Sequence, residues 1–220
     1  MRADLHVHTS FSYDGLPTPK EVVDFAISKK IGCIAICDHG EIKGALQAME
    51  YAKSKPIIVI PGIEIKSKEG EIIALNIKEE ISSGLSAKET IEKIIEKRGL
   101  PVIPHPFDYF LPFWGIEKMV DFLKEKKVAV EVFNASILFY TPNIQAKDFV
   151  EKFNLPFTAG SDAHSLNFIG KGYLELKEVN SPEEVIELII QRKVSFGFEP
   201  ISFWEKIGDH LKRLIVKIKG

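Results

Sequence analysis

The segment Asp4-Leu5-His6-Val7-His8 sets two imidazoles two residues apart. Leu5/Val7 alternating with His6/His8 has the period of a β-strand, which sends successive side chains to opposite faces. Both rings therefore leave one side of a strand while Leu5 and Val7 face the other. An interior polar pair of this kind needs partners, because an unpaired buried polar group costs about 1–3 kcal/mol. Groups of the right type recur downstream as Asp38-His39, Glu64, Glu71, His105 and Asp162-Ala163-His164. They read as standing at or just after the ends of successive short apolar strands. Neutral imidazole and carboxylate are the ligand types that hold Zn²⁺, Mn²⁺ or Fe²⁺. The expected chemistry is hydrolysis assisted by several divalent ions in the mouth of a barrel.

The elements that must position these groups alternate along the chain. After the opening strand, Thr18-Pro19 has the residues of a helix N-cap and first turn, and Val22, Val23, Phe25, Ala26 and Ile27 supply an apolar helix face. The near-continuous apolar run 31–37 predicts a parallel strand covered on both sides. A helix over 43–53 follows, then strands at 57–60 and 71–77. Ser86, with Glu89 three places on, predicts a capping box. Further strands are expected at 100–104, 128–133, 157–160 and 172–176. Helices are expected at 116–126, 143–152 and 181–192, the last opened by Ser181, Pro182 and Glu184. Repetition of the strand–helix unit implies a parallel sheet. An open sheet gathers its ligand at one switch point, whereas barrel sites draw on the ends of many strands. Candidate ligands spread around the chain favour closure.

Composition bounds the alternatives. The chain has 220 residues and is 45% hydrophobic, which suits one α/β domain with a sizeable core. Its formal charge of −2 gives no global reason to expect nucleic acid or an anionic membrane. No leader pattern opens the sequence, and no apolar run approaches the roughly 18 residues of a membrane span. Cys33 and Cys37, in one apolar stretch, read as reduced core thiols, and a cytoplasmic setting is expected.

His6-x-His8, Asp14-Gly15, Asp38-His39-Gly40, Gly62-Ile63-Glu64, Pro104-His105-Pro106 and Gly160-Ser161-Asp162-Ala163-His164 together resemble the ordered motifs of the PHP (polymerase and histidinol phosphatase) superfamily. The resemblance runs from Met1 to about Phe198. It implies a distorted (β/α)7 barrel over 1–200, a centre of two or three divalent ions (Zn, Mn or Fe), and phosphoesterase activity. Position by position it marks His6, His8, Asp14, His39, Glu64, Glu71, His105, Asp162 and His164 as metal ligands. Relatives often carry histidine where Asp14 and Glu71 stand, and carboxylates there favour a harder ion such as Mn²⁺ over Zn²⁺.

Phosphate-ester hydrolysis fits such a centre, since paired cations clamp the attacking and leaving oxygens and acidify a bound water. Glu64 is the candidate bridge. His6, His8 and Asp162 would complete one ion, Glu71 and His105 a second, and Asp14, His39 and His164 a third. Glu64, Asp38 and His39 are the residues expected closest to catalysis. Asp4 and Asp38 are expected to orient ligand imidazoles by accepting their free N–H groups. Hydroxide held by the metals is the expected nucleophile. The expected substrate is a small phosphorylated metabolite or nucleotide. A nucleic-acid exonuclease, a histidinol-phosphatase-like enzyme and a metal-binding accessory domain without turnover are the alternatives.

Substrate contacts are harder to place, because Arg2, Arg98, Arg192 and Arg213 are the chain's arginines and none sits beside a motif. Lys171 is the candidate phosphate grip. Asn134 is a candidate pocket residue, and Tyr109, within the aromatic run 107–114, a candidate wall for a base or sugar. In 201–220, Phe203, Ile207, Leu211, Leu214 and Ile218 at helical spacing among lysines and Arg213 predict a basic amphipathic helix. It is expected to pack on the barrel or on a second subunit.

Overall fold

The computed structural model describes residues 1–209 and Leu211. In chain order the elements are β1 (Arg2–Val7), α1 (Pro19–Ser28), β2 (Cys33–Ile36), α2 (Lys43–Ala52), β3 (Ile58–Lys66) and β4 (Glu71–Leu75). Then follow α3 (Ala87–Glu96), β5 (Leu100–Ile103), α4 (Val120–Glu125), β6 (Ala129–Asn134), α5 (Thr141–Phe153) and β7 (Phe157–Gly160). The last are β8 (Gly172–Glu175), α6 (Pro182–Ile190) and β9 (Ser195–Phe198). The helix starts follow the sequence chemistry. Thr18 and Glu21, and Ser86 and Glu89, form reciprocal capping boxes, and Ser181 accepts from Glu184 N.

The strands form one sheet in the order β7-β6-β5-β4-β3-β2-β1-β8-β9. The two ends of the run β1–β7 meet just beyond β7, where His8 N donates to Ala163 O at 2.9 Å and Asp162 N to His6 O at 2.7 Å. Val7 and Ala163 pair there as a parallel bridge, so the sheet curls into a distorted, nearly closed barrel. The seam is tight: a Cβ on Gly160 would stand 2.4 Å from His6 Cβ and 2.8 Å from its backbone nitrogen. Leu5, Ile34, Ile36, Ile60, Ile63 and Ile65 are among the large side chains sealed into the core.

The sheet is not uniformly parallel, which corrects the reading of a simple strand–helix repeat. β4 runs against both β3 and β5, and β8 runs against β1 and β9. Residues 67–70 are too few for a helical crossover, so the chain reverses as a hairpin. Ser67 N donates to Gly70 O at 2.9 Å inside that turn. Reversal carries Glu71, at the start of β4, to the same end of the barrel as Lys66 at the end of β3. Strand β9, unforeseen in the sequence, extends the sheet beyond β8.

Residues 203–209 are helical and tied to the barrel by Lys206 Nζ on Ile137 O at 2.7 Å and Ser165 Oγ on Asp209 Oδ1 at 2.5 Å. Leu214, Ile218 and most of the expected basic face lie outside the described residues. Among those described, no helix is long and apolar enough to cross a membrane.

Candidate metal centre

β1 carries His6 and His8 into the barrel mouth, both wholly buried. Their Nε2 atoms meet at 3.1 Å. Two imidazole lone pairs hold that separation only with a proton or cation between them. The other ring nitrogens show which atoms are free to ligate. His6 Nδ1 lies 3.0 Å from Glu131 Oε1, and His8 Nδ1 lies 2.9 Å from Ser12 Oγ. Both rings thus direct Nε2 toward the shared interior.

Glu64, late in β3, stands at the middle of this interior. Its Oε2 is 3.5 Å from His6 Nε2, 3.4 Å from His8 Nε2 and 3.0 Å from His39 Nδ1. Its buried Oε1 makes no hydrogen bond, with His105 Nε2 standing off at 3.5 Å. His39 arrives because the chain beyond β2 keeps pairing with β3, forming the bridge His39–Glu64. The β4 reversal brings Glu71 Oε2 to 3.7 Å from His105 Nε2. From the seam, Asp162 Oδ1 lies 3.3 Å from His8 Nε2 and 3.6 Å from His6 Nε2. Asp14 Oδ1 lies 3.3 Å from His164 Nε2 and 3.6 Å from His39 Nε2. All nine residues predicted as ligands therefore meet in one place. Donor atoms of His6, His8 and Glu64, of His39, Glu64 and Glu71, and of His8, His39 and His164 fall into three overlapping groups of metal-site size.

The charges match that geometry. Burial disfavours charged His6, but Asp162, Glu131 and Glu64 outweigh it and hold this imidazole well above its usual range. Burial also opposes charge on His39 and His105, yet Glu64 and neighbouring carboxylates push them up to about 9 and about 10. His8 goes the other way, held well below by burial and by the rings of His164 and His39. Glu64 and Asp162, although burial opposes their charge, are held far below the usual carboxylate range by the imidazoles around them. Glu71 is raised, chiefly by the charge on Glu64. Carboxylates crowded against nitrogens that must shed or share protons suit divalent cations of the borderline-to-hard type.

The orienting groups differ from those expected. Neither Asp4 nor Asp38 accepts from a ligand imidazole. Asp4 accepts from Ser161 N, Ser161 Oγ and Gly170 N, so it pins the seam. Asp38 accepts from Thr9 N, Thr9 Oγ1 and Ser12 Oγ, and it reaches His8 through that serine. Glu131 is the residue sequence reading missed. Its second oxygen takes His105 N at 3.0 Å and Asn134 Nδ2 at 2.9 Å. A carboxylate inside the apolar run 128–133 was the available signal, since such a group cannot be left unpartnered. It holds in place a His105 backbone whose φ of 28° is costly for a residue with a Cβ.

The proposed substrate residues separate. Asn134 Nδ2 reaches Asp162 Oδ2 at 3.3 Å and so belongs to the wall of the centre. Lys171 Nζ is engaged by Glu199 Oε2 at 2.9 Å. Tyr109 is 55% exposed, with its ring 5.7 Å from that of Phe139. Tyr13, not singled out before, stacks on His39 with centroids 4.9 Å apart.

Comparison with known proteins agrees with the fold. The PHP domain family model matches residues 4–98, and the PHP-associated model matches 141–194. The uncharacterized protein MJ0417 of Methanocaldococcus jannaschii is 34% identical over 201 residues, which is 86% of this chain and 79% of that protein. A 5'-3' exoribonuclease of Haemophilus influenzae is 31% identical over 48% of this chain and 42% of its own length. In fold, a two-domain protein of Bacteroides vulgatus described as containing a predicted PHP-like metal-dependent phosphoesterase superposes with a TM-score of 0.74 at 20% identity. That match covers 90% of this chain and 65% of the other. The chain belongs to the PHP family of metal-dependent hydrolases and has its distorted barrel.

Proposed function

We propose that the chain is a metal-dependent phosphoesterase acting on a small phosphorylated metabolite or nucleotide. The observation that carries this reading is the placement of Glu64, whose two oxygens face four imidazoles from three directions. Divalent cations bound there would supply positive charge for the phosphoryl oxygens and an acidified water. His6, His8 and Asp162 would hold one ion, Glu71 and His105 a second, and Asp14, His39 and His164 a third, with Glu64 shared. Asp14 and Glu71 add hard oxygen donors, which favours Mn²⁺.

The chain's own part is positioning. Glu131 and Ser12 fix the rings of His6 and His8, and Asn134 steadies Asp162. Carboxylates at Asp14, Glu64, Glu71 and Asp162 would repel a phosphate dianion, so substrate binding depends on cations neutralising them. The described arginines do not replace those cations: Arg2 Nη1 meets Glu199, Arg192 donates to Leu155 O, and Arg98 is exposed just past the end of α3. The same reading places the protein in the cytoplasm, in keeping with the unpaired buried Cys33 and Cys37.

Phosphate release from a panel of nucleotides and sugar phosphates, measured on Mn²⁺-loaded protein beside a His6→Ala control, tests this reading. Absence of release across the panel rejects it. The exoribonuclease relative favours a second reading, cleavage of nucleic acid. A steep fall of affinity for single-stranded RNA with rising salt would support that alternative.

A further inference from the structure

A cavity of about 280 Å³ opens directly onto the metal centre, floored by His105 and Asp162. Its walls are Phe110 and Leu111 from one loop and Ile137 and Leu138 from another, with Asp108 and Ser136 completing the lining. Among the described residues that lining contains no lysine or arginine. Lys206, the cation bonded to this second loop, has its ammonium on Ile137 O. A separate recess holding Lys66 and Lys68 lies on the far side of Phe110 and Leu111 and adjoins the centre at Glu71. Carbon walls with a carboxylate at the edge leave a second anion on the substrate both unpaired and repelled. The cavity lies just below the roughly 300–1,000 Å³ range of ligand pockets, which suits one ring system.

Building on the phosphoesterase reading above, we propose that this cavity holds the alcohol portion of the substrate. That alcohol carries no negative charge and presents a flat apolar face, so the preferred substrate class is a phosphomonoester with no further anionic group. Phe110 and Leu111, 69% and 60% exposed, form the ridge that separates this cavity from the lysine-bearing recess.

The test pairs phenyl phosphate with 4-(carboxymethyl)phenyl phosphate, which share leaving-group basicity and differ by one remote carboxylate. The matching non-hydrolysable phosphonates are titrated calorimetrically into the same Mn²⁺-loaded full-length protein. The neutral compound is expected to bind at least about tenfold more tightly, with kcat/KM following through KM. Leu111→Lys, at an exposed position, is expected to narrow that gap. Equal binding of the two phosphonates, or preference for the carboxylated one, overturns the proposal even where turnover is robust. Loss of turnover for every ester, with the phosphonate preference intact, overturns the phosphoesterase reading and leaves the cavity's selectivity standing.

Discussion

His6 Nδ1 lies 3.0 Å from Glu131 Oε1, and both side chains are sealed from solvent. The contact fixes the ring so that Nε2 faces Glu64 and Asp162, and it places a carboxylate behind the ligand. Such outer partners orient metal-binding imidazoles and raise their basicity. Glu131→Gln keeps an acceptor for His6 Nδ1 but removes the charge and turns an amide NH2 toward His105 N and Asn134 Nδ2, which lose their acceptor. Metal affinity is expected to fall about 10- to 100-fold, measured by chelator competition. Glu131→Ala should also destabilise the fold, because His105 N and Asn134 Nδ2 lose their acceptor. Unchanged affinity in Glu131→Gln would show that the charge behind His6 is immaterial.

Proton and metal compete for the same nitrogens. In the metal-free protein, burial favours neutral His39 and His105, but Glu64 and its neighbours raise them to about 9 and about 10. Folded values above the ordinary 6.5 stabilise the protonated folded state. That stabilisation is complete below about pH 6.5 and is lost as pH rises through about 9 to 10. Chelator-treated protein should therefore lose stability to urea over that upper window, whereas loaded protein should not. Metal binding at pH 7.5 should release protons and tighten with pH, read by calorimetry in buffers of different ionisation heat. Binding without proton release would contradict this.

Asp14 entered the expected donor set only through the resemblance to the PHP motifs, but the convergence of the other donors was legible because strand alternation and strand-end placement depend on local pattern. His6 and His8 show it most plainly. Helix starts at Thr18, Ser86 and Ser181 were legible for the same local reason. The reversal at 67–70 was not, because an apolar run such as 71–77 reads alike in either direction. Only the shortness of the connecting turn decides it. Asp4 was misassigned because sharing a strand face with His6 does not decide which donors claim its carboxylate. The period of 2 sends its side chain to the face of His6, yet Ser161 and Gly170, which are more than 150 residues away, claim both its oxygens. Lys171, expected as a phosphate grip, is likewise met by a partner distant in sequence, Glu199 on the segment after β9.

Closure of the barrel depends on the absence of a side chain at Gly160. A Cβ there would meet His6 Cβ and the His6 backbone nitrogen, neither of which is the flexible end of a side chain. Gly160→Ala must therefore open the seam that brings Asp162 to His6 and His8. A loss of roughly 1–3 kcal/mol in urea unfolding is expected, with weakened metal binding in the fraction that folds. Wild-type stability and affinity together would mean that the seam yields freely.

Ser12 is the hinge of a three-way contact whose hydrogens can be assigned by counting. Its one hydroxyl hydrogen can go to Asp38 Oδ1 at 2.9 Å, since that carboxylate also takes Thr9 N at 2.6 Å. Ser12 Oγ must then accept, from His39 N at 3.1 Å and from His8 Nδ1 at 2.9 Å. His8 consequently carries its proton on Nδ1 and offers a bare Nε2 to the centre, the form a metal requires. Ser12→Ala strands a backbone N–H, a ring N–H and one carboxylate contact. A destabilisation of about 1–3 kcal/mol is expected together with weaker metal binding. Ser12→Thr, which keeps the hydroxyl, should recover much of the affinity even if its added methyl costs stability. If alanine and threonine variants bind metal equally, the serine does not set the state of His8.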